Sequence, residues 1–123
     1  MNRSYEQDAL KTFIRDCVSP LADEKSQNDA WLEGQWDKLT TIDELYINFC
    51  DYCEPILENP DRYNLSSEQL SETKRLYDLI ESFDEKNPEI ETIEDYKKAL
   101  NDPLWKDVQI QAKVVLSKFQ KSD

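Results

Sequence analysis

Apolar residues recur every three or four positions along most of this chain, the spacing that lines up one face of an α-helix. Leu10, Phe13, Ile14, Cys17 and Leu21 form the first row and predict a helix from about Ser4 to Val18, which Pro20 interrupts by withdrawing a backbone donor. Residues 22–40 carry the weakest pattern. There Asp23 to Asp29 is polar, and Trp31, Leu32 and Trp36 surround the single glycine, Gly34, which predicts a short helix and a turn.

Later starts are marked by capping sequences. Thr41-Ile42-Asp43-Glu44 reads as a capping box and opens a helix whose row is Ile42, Leu45, Tyr46, Phe49, Cys53 and Ile56, ended by Asn59-Pro60. Ser66-Ser67-Glu68-Gln69 opens the next, with Leu70, Thr73, Leu76, Tyr77, Ile80 and Phe83 as its row and Asn87-Pro88 as its stop. Thr92-Ile93-Glu94-Asp95 begins a short helix with Ile93, Tyr96 and Leu100 on its apolar side. Asp102-Pro103 combines an N-cap carboxylate with proline at the first helical position. The helix behind it carries Leu104, Val108, Ala112, Val115 and Phe119 on one stripe and Trp105, Ile110, Val114 and Leu116 beside it. Such wide apolar coverage predicts a central position. The matching starts at Thr41 and Thr92 are two independent caps, because the likeness ends after four positions. The expected fold is all-α: one domain over residues 1–123, a compact bundle of five or six helices.

Composition narrows the functional classes. The chain has 123 residues, one glycine and no histidine, which argues against an all-β fold, a Rossmann motif and a P-loop. Without histidine, Ser-His-Asp and Cys-His catalysis and His-ligated metal sites are excluded. Three cysteines, Cys17, Cys50 and Cys53, form no disulfide framework. Cys50-x-x-Cys53 falls inside a predicted helix, away from the N-terminal dipole that activates thiols, and reads as packing. Neither an apolar leader nor a run of about 18 apolar residues appears, so the expected location is the cytoplasm. No catalytic residue, metal ligand or cofactor is expected.

Charge is the distinctive property. The net charge is −12, and residues 41–101 hold sixteen acids against six bases. The densest run is residues 84–95, with six carboxylates and one lysine across a loop and two helix ends. Asp84 and Glu85 close a helix, where the macrodipole disfavours anions. This balance predicts a basic protein partner, no direct contact with nucleic acid or membrane, and a chain that is a monomer or homodimer. Asp84, Glu85, Glu89, Glu91 and Glu94 are the candidate steering residues. Tyr52 and Tyr63 are candidate aromatic anchors, with a local lid as the alternative for Tyr63. Ile110 and Val114 would form the contact of a structural adaptor or homodimer, and a nucleic-acid mimic of the anti-restriction kind is a further alternative.

The stretch Leu100-Asn101-Asp102-Pro103-Leu104-Trp105, followed by Val108, Ala112 and Leu116, resembles the last helix of small acidic helical bacterial proteins that act as immunity proteins to secreted or contact-delivered toxins. The resemblance implies a cytosolic antidote that binds one basic toxin domain, a nuclease being the expected case, and blocks its active site. The Asp-x-x-x-Tyr-Tyr-Pro-like helix of colicin nuclease immunity proteins is missing, and no site residue of that family carries over.

Overall fold

A computed structural model of the chain describes residues 5–35 and 37–120. The expected helix start at Ser4 and the aromatic Trp36 lie outside the described residues. The elements are α1 (Tyr5–Thr12), a π turn (Phe13–Val18), α2 (Ser19–Ala22), α3 (Glu24–Trp31), α4 (Ile42–Glu58), α5 (Ser67–Lys86), α6 (Ile93–Leu100) and α7 (Pro103–Gln120). Because α1, the π turn and α2 run on without a break, the described residues form six helical rods, all-α as the apolar spacing implies.

Pro20 does not interrupt the first rod. The π turn ahead of it widens the helix, with the Ser19 N–H donating to the Ile14 carbonyl five residues back. Widening moves the preceding carbonyls away from the proline ring, which would clash with them in a regular helix. The caps form where their sequences place them, but the Thr41 box closes on one side only: Glu44 does not return a bond to the Thr41 N–H. Thr41 Oγ1 accepts from the Glu44 N–H, and Ser66 with Gln69 and Thr92 with Asp95 form reciprocal boxes. Asp102 Oδ1 accepts from the Leu104 N–H at 2.9 Å. Helix ends share a second device. The side-chain amides of Asn59, Asn87 and Asn101 donate to the carbonyls of Pro55, Phe83 and Lys97, four residues back in each case. Each therefore satisfies a carbonyl from the helix's last turn.

As its wide apolar coverage suggests, α7 is central, packing on α5, α2, the π turn and α6. Two runs of rings fill the core. Tyr96, Trp31, Trp105 and Phe83 follow one another with centroids 5.2, 6.1 and 4.8 Å apart, and Phe13, Phe49 and Tyr77 at 5.4 and 6.4 Å. Gln27 is buried among them. Its Nε2 donates to the carbonyls of Pro20 and Leu21, and its Oε1 accepts from Trp105 Nε1 and Gln109 Nε2. Ile93 departs from its expected place: it is exposed, and α6 buries Tyr96, Ala99 and Leu100 instead. No helix among the described residues is long and apolar enough to cross a membrane.

Candidate functional site

Helix α4 packs its inner row (Ile42, Leu45, Phe49, Cys53 and Ile56) against the π turn, α1 and α5. Its other side carries every charge the helix has. Asp43, Glu44, Asp51, Glu54 and Glu58 are all exposed, and the helix contains no base. None of the ion pairs among the described residues involves α4. The bases pair elsewhere, as in Lys25 and Lys38 with Asp29, Lys74 with Asp78 and Lys118 with Glu68. Ile47 is 49% exposed in the middle of this face, and Tyr52 is 38% exposed on the flank towards α1.

The flank of α4 towards α5 extends the anionic surface into a seam. Tyr46 Oη donates to Glu81 Oε2 at 3.0 Å, and Cys50 Sγ to the same oxygen at 3.6 Å. Tyr77 Oη donates to Glu54 Oε2 at 3.0 Å. Burial, reinforced by these carboxylates, pushes both tyrosine hydroxyls well above the usual phenol range, so they remain donors. Asp84 lies at the same seam. Burial, together with the nearby carboxylates of Asp43, Glu81 and Glu85, raises its carboxyl above the ordinary aspartate range. Glu54 and Glu81 are thus held by neutral hydroxyls, and neither forms an ion pair with a described cation.

The structure divides the residues that the sequence grouped. Asp84 and Glu85 belong to the end of α5, and Asp84 faces the seam with α4. Glu89 and Glu91 are exposed in the loop before α6, and Glu94 in its first turn. Cations stand close to this second group: Glu94 is 3.6 Å from Lys97, and Glu89 lines a depression with Lys86 and Lys98. Asp95 is spent on the Thr92 cap. Tyr63 is only 8% exposed, so it offers no free ring, because the turn that carries it folds inward against α1. Sequence reading missed the α4 face. Its signal was present: residues 42–58 contain five acids and no base.

Other groups bear on chemistry. All three cysteines are free and buried, and burial pushes the Cys17 thiol up to about 11 and the Cys50 thiol up to about 12. Cys53 is raised further by the same cause. Thiolate chemistry is therefore suppressed at neutral pH. No group of three or more Cys, Asp or Glu able to hold a metal ion occurs among the described residues. Ile110 is 60% exposed on α7 and Val114, one turn on, is half-buried.

Comparisons with protein-family models, with curated proteins and with solved structures return no match.

Proposed function

We propose that this chain neutralises a basic protein by covering it with the outer face of α4 and the α4–α5 seam, as an immunity protein covers its toxin. One observation carries the reading: α4 is a fully formed helix with five carboxylates, no base and no ion pair among the described residues. Such a face repels itself in the free protein, and none of the described bases pairs with it. A partner that brings the cations would relieve it. The tyrosine hydroxyls already fix Glu54 and Glu81, which lowers the ordering cost of binding. Ile47 supplies an apolar contact ringed by charge.

A nuclease domain is the partner class that best fits, because its cleft must be cationic to hold phosphates. Charge complementarity would speed encounter towards about 10⁸–10⁹ M⁻¹s⁻¹ at low salt. Asp84 would lie within the covered seam, and Glu85, Glu89, Glu91 and Glu94 would contribute steering charge outside it, with Tyr52 at the rim.

The test is co-expression with any product of the neighbouring reading frames that arrests growth when expressed alone. The chain should restore growth, and Asp51→Lys with Glu58→Lys should abolish the rescue while leaving the helical spectrum unchanged. Rescue by that variant would remove α4 from the interface. Indiscriminate retention of DNA-handling proteins on an immobilised sample would favour the nucleic-acid mimic instead.

A further inference from the structure

A depression among the described residues lies away from the α4–α5 seam and shares no residue with it. Leu10, Ile14 and Phe119 form its floor, each only partly buried against the core, and the groove holds about 440 Å³. That volume is within the range of small-molecule sites, about 300–1,000 Å³. Tyr63, buried and unsuited to anchor a protein, forms one wall beside Asn64. Asn64 is the one described non-glycine residue with positive φ, at 58°.

The charge on this groove runs against that of the molecule. Within a chain of net charge −12, its lining among the described residues includes Lys11 and Arg15 and no acid. The two cations are not equivalent. Arg15 is engaged by Asp16 through Nε at 2.8 Å and Nη2 at 2.9 Å. Lys11 is exposed and makes no ion pair with any described residue, so its charge remains available at the rim.

We infer that this groove binds an aliphatic carboxylate, its tail along Leu10, Ile14 and Phe119 and its head group at Lys11. Leu10, Ile14 and Phe119 supply aliphatic and aromatic carbon between the side-chain amides of Gln7, Asn64 and Gln69, a strip that favours a narrow apolar tail. The rim selects an anion over a cation or a neutral head group. A small ligand is also the anion that the remaining surface repels least, since a polyanion would have to approach many exposed carboxylates at once.

The experiment is a titration of the isotope-labelled full chain with sodium decanoate, followed by amide chemical shifts. Shifts at Leu10, Ile14 and Phe119 should saturate with a Kd below about 1 mM. Decyltrimethylammonium, with the same tail and opposite charge, should bind at least about tenfold more weakly, as should decanoate to Lys11→Glu. Because Lys11 is exposed, that variant should keep the wild-type unfolding midpoint. Shifts that do not saturate, equal affinity for the two head groups, or unchanged affinity in Lys11→Glu would overturn the inference. So would the same shifts arising from protein concentration alone, which would mark the groove as a contact between copies.

Discussion

The indole Nε1 of Trp105 donates to Oε1 of Gln27 at 3.0 Å, joining α7 to α3 across 78 positions of sequence. The same oxygen takes a second bond from Gln109 Nε2 at 2.7 Å, and the amide nitrogen ties the carbonyl end of α2 into the set. A fully buried glutamine is tolerable only because both ends of its amide are satisfied. The network fixes α3 against the centre of the bundle, where hydrophobic burial alone would allow it to slide.

Gln27→Leu keeps the volume but strands the Trp105 and Gln109 donors in the core. It should destabilise the fold by roughly 2–5 kcal/mol, read from urea unfolding monitored by tryptophan fluorescence. A loss below about 1 kcal/mol would mean that water or another acceptor replaces the amide.

Thr73 presents the opposite case. It is buried on α5, and its Oγ1 has no hydrogen-bond partner among the described residues. Thr73→Val replaces that hydroxyl by a methyl group of similar shape and should stabilise by about 1 kcal/mol. Thermal melts of the two proteins decide it, and a lower midpoint for the valine variant would argue for a hidden partner.

The seam makes stability depend on pH in a particular direction. Folded Asp84 titrates above the ordinary aspartate value of 3.8, chiefly from burial and then from Asp43, Glu81 and Glu85. Its contribution to stability is therefore fully present below 3.8 and lost as pH rises through the folded value. Asp102 behaves oppositely. Burial opposes its charge, but the Leu104 N–H, Asn87 and Lys86 together hold it below 3.8, so its contribution is present above 3.8 and lost as pH falls through the folded value. Stability should rise on acidification from neutrality to about pH 4 and fall below it. Asp84→Asn should be more stable at neutral pH and show a smaller rise. Parallel profiles for the two proteins in melts across a pH series would contradict the assignment.

Glu58 closes α4 at the negative end of its dipole, exposed and without an ionic partner among the described residues. Glu58→Lys should stabilise the free protein by roughly 0.3–1 kcal/mol. On the proposed function it should also slow association with the basic partner, most clearly at low salt. Stability and binding would then move in opposite directions, as expected of a residue kept for recognition. Chemical unfolding together with stopped-flow association tests both halves.

Much of the fold is written locally. Thr41, Ser66, Thr92 and Asp102 mark four helix starts, and the Asn-Pro pairs at 59–60 and 87–88 mark two ends, because each acts within one helical turn. The first rod misleads for an equally local reason: proline normally ends a helix, and nothing in the spacing announces a π turn. Residues 22–40 were opaque because their organiser, Gln27, is polar and finds its partners on α7. The candidate site was half legible. Charge density along the chain draws attention to residues 84–95, yet Asp43 and Asp84 become neighbours only when α4 meets α5. Linear density also ignores cations that folding brings close, such as Lys97 to Glu94.

The π turn at Phe13–Val18 has a geometric corollary. It acts as one surplus residue in a helical rod, which lets the Leu10 side and the Leu21 side keep separate angular registers on a common axis. Deleting a single residue there would restore regular winding and swing Tyr5–Thr12 by about 100° about that axis. Lys11 would leave the rim of the apolar groove, and Leu10 would be turned out into water. The irregularity is thus what allows one rod to serve two different neighbours.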